Sequence, residues 1–156
     1  MAVETERLII KRVNDNNIGE LKPLMEYQEL FQRTGLVTIG AVDEQTLLVL
    51  ARNEIILMLK EKDTGEALGI IVLLNVYGPT VMKESRKYEV GYLLIPSAQH
   101  HGYMSEALDT TCGELNKRQI SVVAEVDKGN LPSQQVLKRC GFKLATKQGD
   151  LLKWQR

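Results

Sequence analysis

The residues best suited to chemistry lie in Ile95 to Ala107, IPSAQHHGYMSEA, where an apolar strand pattern meets a proline, two adjacent histidines, a glycine and the start of a helical pattern. Two histidines raise the chemistry of a metal ion. A glycine at a strand-to-helix junction raises that of a phosphate. His100 and His101 are neighbours and cannot easily face one ion, and no nearby Asp, Glu or Cys stands at ligand spacing, so no metal is expected. Gln99, Gly102 and Met104 fit the pattern Q/R-x-x-G-x-G/A with Met in the last slot. In such a loop the first-turn N–H groups lack intrahelical partners and carry the positive end of the helix dipole. Glycine lets a ligand approach the backbone, which makes an anion site suited to a pyrophosphate. Taken alone the pattern occurs in many proteins, and two solvent-exposed loop histidines are the plain alternative.

A second segment, NLPSQQVLKRCGF from Asn130 to Phe142, follows the next strand. Structurally, Asn130 reads as a turn residue and Ser133 as a helix cap. Both segments leave strands toward the same end of a sheet, which is where open α/β sheets bind ligands. Cys112 and Cys140 are far apart, form no C-x-x-C pair and fall at apolar helical positions, so buried free thiols are expected.

The elements that must hold these residues follow from periodicity and turn chemistry. Arg7 to Val13, Glu54 to Glu61, Ala67 to Tyr77, Lys87 to Ile95, Ile120 to Val126, Phe142 to Lys147 and Leu151 to Trp154 read as strands. Asp15 to Gly35 reads as helical with a break near Tyr27, and Thr38 to Ala51 holds a further helix that Asp43 or Glu44 could start. Gly78 to Arg86 reads as a polar loop, and Gly102 to Lys117 and Leu131 to Cys140 read as helices. The strand–helix–strand piece from Lys87 to Val126 should be a parallel crossover flanked by antiparallel hairpins. The expected class is α/β (α+β): a mixed, mostly antiparallel sheet with helices on both faces, in a single domain spanning 1–156.

The bulk properties agree with a globular protein. The chain has 156 residues, 44% hydrophobic and 26% charged, with 20 basic and 20 acidic residues. Zero net charge argues against a protein whose work is gripping nucleic acid. The start, MAVETERLIIKRV, does not read as a signal peptide, and no run is long enough to span a bilayer. No nucleic-acid or membrane partner is expected, and the default location is cytoplasmic.

With the motifs in order, the sequence resembles the GNAT superfamily of N-acetyltransferases over nearly its whole length. TERLIIKRV looks like the first strand of the branch that includes the ribosomal-protein N-terminal acetyltransferases. YEVGYLLIPSAQHHGYMSEAL looks like its acetyl-CoA motif, and NLPSQQVLKRCGF like the N-x-x-S…K-x-G-F segment that follows. The resemblance implies the acyl-CoA N-acyltransferase fold, with a central splayed parallel strand pair, and acetyl-CoA as cosubstrate. Pantetheine would pair with the backbone of Leu93, Leu94 and Ile95. The diphosphate would meet the N–H groups of Gln99, His100, His101, Gly102, Tyr103 and Met104, and Asn130 would hydrogen-bond the pantetheine arm.

The resemblance also implies roles in catalysis. Glu89 sits early in the strand that would hold the thioester, where some relatives place a catalytic glutamate. Alternation puts it on the face of Gly91, Leu93 and Ile95. It could instead be an edge glutamate paired with Lys87 or Arg86. Two positions depart from the family pattern. Met104 replaces a small residue and would crowd the helix start. Leu137 stands where many relatives carry a tyrosine that protonates the leaving thiolate, so Ser133 is the nearest hydroxyl for that task. The acceptor would be a primary amine, either a protein N-terminus or a small molecule, chosen by Asp15 to Gly35 and the loop Tyr77 to Lys87. A non-catalytic coenzyme A sensor or interaction module on the same fold is the alternative. A homodimer through the closing strands is an option the resemblance leaves open.

Overall fold

In the computed structural model, which describes residues 2–34 and 41–156, Ile18, Leu21 and Leu24 are buried and recur at every third position. That interval matches three residues per turn, and Ile18–Glu26 is a 3-10 helix rather than the α-helix its apolar content suggests. Pro23 lies inside it and has no N–H for an α-helical ladder. The break falls at Tyr27, as expected, and α1 (Gln28–Gln32) follows. Gly35 and the stretch from Thr38 to Gly40, both within expected helical segments, lie outside the described residues. α2 (Glu44–Asn53) begins after Asp43, whose carboxylate accepts from the Thr46 N–H at 2.7 Å and satisfies an orphan donor of the first turn.

The strands are β1 (Ala2–Glu4), β2 (Leu8–Arg12), β3 (Ile55–Glu61), β4 (Ala67–Tyr77), β5 (Lys83–Leu94), β6 (Ser121–Asp127), β7 (Lys143–Gln148) and β8 (Leu151–Gln155). The remaining helices are α3 (Tyr103–Lys117) and α4 (Leu131–Arg139). Beyond shifts of a residue at strand ends, the structure adds a strand the sequence pattern lacks, β1, and lengthens another, β5. β1 is too short to show a period. β5 starts at Lys83, inside the expected polar loop, because Lys83 to Arg86 pair as strand without any apolar alternation. Arg86 takes a left-handed φ of +63° there, which marks a local departure from a regular pleat.

The chain gathers into two compact units, one of Met1–Leu74 with Gly91–Tyr103 and one of Asn75–Val90 with Met104–Arg156. In the first, β1, β2, β3 and β4 form antiparallel pairs in that order, and the end of β5 is β4's next neighbour. Its core is built from Leu21, Leu24, Phe31, Leu47, Ile56, Met58 and Ile70, all fully buried. β4 is buried on both faces over its first seven residues, as its unbroken apolar run requires.

In the second unit β5 and β6 run parallel, with Lys87, Tyr88 and Glu89 opposite Ser121, Val122 and Val123. A parallel pair needs a long crossover, which α3 supplies. β6 pairs antiparallel with β8, and β8 with β7. Leu108, Cys112, Val122, Leu137 and Trp154 are buried in this unit. The last registered rung of the parallel ladder is Glu89–Val123, although β5 runs on to Leu94 and β6 to Asp127. The class is therefore the mixed sheet expected, with one parallel pair among the described residues. No described helix is long and apolar enough to cross a membrane.

Candidate functional site

In the first unit, the chain leaves β5 at Leu94 and is pinned at once, because the Ile95 N–H donates to Leu68 O at 2.9 Å. Leu93 and Leu94 are buried and Ile95 is half-buried. A short 3-10 turn, Pro96–Ala98, carries the chain to Gln99. The Gln99 Nε2 donates back to Leu94 O at 3.0 Å and closes the turn. His100 then takes a φ of +65° and Gly102 one of +79°. Left-handed residues set among ordinary ones turn successive N–H groups toward one side, a backbone arrangement that suits anions. Histidine is among the non-glycine residues that tolerate this conformation best. His100, His101 and Gly102 are exposed, and the loop leads directly into the N-terminus of α3. Met104 is buried, so its bulk is taken up by the interior rather than by the loop's open side.

Arg7 from the start of the chain, Glu61 at the end of β3 and Tyr103 at the head of α3 brace this loop. Arg7 Nη1 donates to His101 O at 2.9 Å, and the Arg7 guanidinium carbon lies 4.3 Å from the centre of the Tyr103 ring. The Tyr103 hydroxyl donates to Glu61 Oε1 at 2.9 Å. That bond is the main reason the phenol's pKa is raised. The other Glu61 oxygen accepts from Thr64 Oγ1 at 2.9 Å. Sequence reasoning read Arg7 only as the head of a strand and Glu61 only as the tail of one. A charged residue at a strand end next to an apolar run was the sole signal in the sequence, and it does not name a partner.

β5 also carries a close approach within this unit. A Cβ on Gly91 would stand 1.9 Å from Thr34 O. Glycine is thus required where the chain after α1 crosses the strand. Thr34 is buried there, with its hydroxyl donating to Phe31 O at 2.6 Å.

In the second unit, Glu89 is half-buried on β5. Lys87 and Arg86, the partners a plain edge glutamate would take, are engaged elsewhere. Lys87 Nζ lies 3.4 Å from Glu84, and Arg86 Nη1 donates to Arg118 O at 2.9 Å. Val123 faces Glu89 across the parallel pair, Glu125 is two residues further along β6, and Lys153 is its partner on β8. Alternation puts all of them on one face. Burial, reinforced by the Glu125 charge and opposed by Lys153, raises the Glu89 pKa. A carboxylate moved toward neutrality is a better proton acceptor at working pH.

The capping role expected of Ser133 falls to Asn130. Asn130 is the N-cap of α4, and its Oδ1 accepts from the Ser133 N–H at 3.3 Å. Ser133 occupies the first turn as the donor. Leu137 is fully buried, in keeping with a core residue. Cys112 and Cys140 are buried free thiols, with burial pushing their pKa values to about 12 and about 11. Neither can act as a thiolate at neutral pH.

A family model described as "Acetyltransferase (GNAT) domain" matches residues 7–143. No curated protein matches the chain significantly. Among solved structures, the chain is similar to the RimL ribosomal L7/L12 α-N-protein acetyltransferase in complex with coenzyme A, with 17% identity, a TM-score of 0.79, and coverage of 100% of this chain and 97% of that one. It is also similar to the ribosomal-protein-S5-alanine acetyltransferase of Vibrio fischeri, at 14% identity and a TM-score of 0.76, covering 100% and 96%. A third is the Salmonella typhimurium acetyl transferase that modifies the N-terminal serine of ribosomal protein L7/L12, at 16% identity and a TM-score of 0.74, covering 100% and 98%.

Proposed function

The chain belongs to the GNAT acetyltransferase family, and from that premise we propose that it transfers the acetyl group of acetyl-CoA directly to the α-amine of a protein or peptide N-terminus, with both substrates bound at once. The observation that carries this reading is the loop Gln99 to Tyr103, with left-handed His100 and Gly102 at the head of a helix. The Gln99 N–H is given to Pro96 O at 3.2 Å, so the N–H groups that would meet a diphosphate are those from His100 to Tyr103, and Gly102 supplies the left-handed φ the turn needs. Leu93, Leu94 and Ile95 would meet the pantetheine arm as an added strand would, through backbone groups other than the Ile95 N–H, which Leu68 O holds, and the Leu94 oxygen, which Gln99 holds. In the second unit, the Asn130 Oδ1 serves the helix, which leaves Nδ2 as the group for the pantetheine contact that the resemblance implies.

Acetyl-CoA supplies an activated thioester. Glu89 takes the proton that the attacking amine must lose, directly or through water. Ser133 offers its hydroxyl to the departing thiolate, a task Leu137 cannot perform. An N-terminal α-amine suits a single carboxylate base. With a pKa near ~7.8, roughly a quarter of such amines are neutral at physiological pH, whereas an alkylamine with a pKa near ~10.4 is almost wholly protonated. Three of the similar structures are named as ribosomal-protein acetyltransferases, which supports a peptide acceptor.

The test is thiol release from acetyl-CoA with three acceptors: a peptide with a free N-terminus, the same peptide blocked there but carrying lysine, and spermidine. Release with the first alone is the expected result. Turnover only with spermidine would replace the peptide by a small-molecule amine. No release with any acceptor beyond the background rate would count against the catalytic reading.

A further inference from the structure

The brace beneath the loop carries an inference that rests on the coenzyme A reading above. We propose that Arg7 is a positioning residue for coenzyme A, which orients the His101–Gly102 peptide and so aims the Gly102 N–H at the diphosphate. The peptide is trans, as no cis bond occurs among the described residues, so its C=O and N–H point to opposite sides. Arg7 holds the His101 oxygen at 2.9 Å, which turns the Gly102 N–H away from Arg7 and toward the open side. Arg7 is itself fixed. Its guanidinium lies over the Tyr103 ring, and Tyr103 is tied through Glu61 to Thr64 in the β3–β4 turn. A Cβ on Gly102 would lie 3.5 Å from Arg7 Nη2, in ordinary contact, so this face of the glycine is the one turned to Arg7.

This arrangement asks for a planar, forked cation. Guanidinium can stack on a ring and donate to a carbonyl together, whereas an ammonium is a point charge on a flexible stem. The brace acts on the loop's backbone and not on the pantetheine arm. The ligand without a diphosphate should therefore be indifferent to it.

The test is calorimetric titration of coenzyme A and of pantetheine into the wild-type chain, Arg7→Ala and Arg7→Lys, with melting temperatures recorded for each. Both variants should bind coenzyme A roughly tenfold more weakly, with pantetheine affinity within about twofold of wild type. Restoration by lysine would mean that charge alone suffices, and would overturn the proposal. So would unchanged coenzyme A affinity, an equal loss for both ligands, or failure of both variants to fold, which would make Arg7 a purely structural residue. Failure of the underlying reading has a separate signature: the wild-type chain itself would bind coenzyme A no better than pantetheine.

Discussion

At the scale of single residues, Glu89 decides how the chemistry responds to pH. Its pKa is raised by burial and by Glu125, so the charged form is the penalised one in the folded chain. A raised value favours the fold at acid pH and withdraws that support as pH rises through the folded-state pKa. Glu89→Gln should therefore melt no lower than wild type near pH 8, and any advantage should shrink in acid. The same variant should lose roughly 10²- to 10⁴-fold in kcat/KM at neutral pH, and regain part of it as the amine deprotonates at higher pH. Thermal melts and pH–rate profiles together separate a base from a structural carboxylate. A structural role would lower the melting temperature and leave the profile's shape unchanged. That Glu89 lies beside Glu125 and Lys153 could not be read from sequence. Those neighbours come from β6 and β8, and their register is set by pairing, not by any local pattern.

At the scale of elements, the strand that would hold the thioester is fixed by backbone proximity. Gly91→Ala would push a methyl against Thr34 O, where 1.9 Å is available, and should cost at least ~3 kcal/mol. In a chain of this size that lowers the melting temperature by roughly 6 to 12 degrees. Gly113→Ala in α3 is the contrast, since an added Cβ meets nothing within 4 Å. It should raise the melting temperature slightly, because alanine is the better helix former by about 1 kcal/mol. Most elements were legible because they carry a period or a stop: the break at Tyr27, the apolar run that opens β4, the apolar stripe of α3, and Gly141 after α4. What escaped had neither. The 3-10 geometry of Ile18–Glu26 shows only in the three-residue spacing of its buried residues. The polar start of β5 is strand because Arg86 and Ser121 tie it to its neighbours, with Ser121 Oγ donating to Arg86 O at 3.3 Å. The capping role moved from Ser133 to Asn130 because either residue type can serve and only backbone geometry chooses.

At the scale of the whole molecule, the mixed sheet with its parallel pair was legible from the order of elements, and the family from three motifs in sequence. The brace of Arg7, Tyr103 and Glu61 was not, since its members stand far apart in the chain and meet only through the fold. The most direct test of acetyl-CoA use is the melting temperature of the intact chain with and without saturating acetyl-CoA, with acetate as the control. At a hundred times its dissociation constant, a ligand that binds only the folded state adds about 2.7 kcal/mol. Here that corresponds to a rise of roughly five to ten degrees, matched by coenzyme A and absent with acetate. No rise with either coenzyme would contradict the cosubstrate assignment, and with it the roles given to the loop.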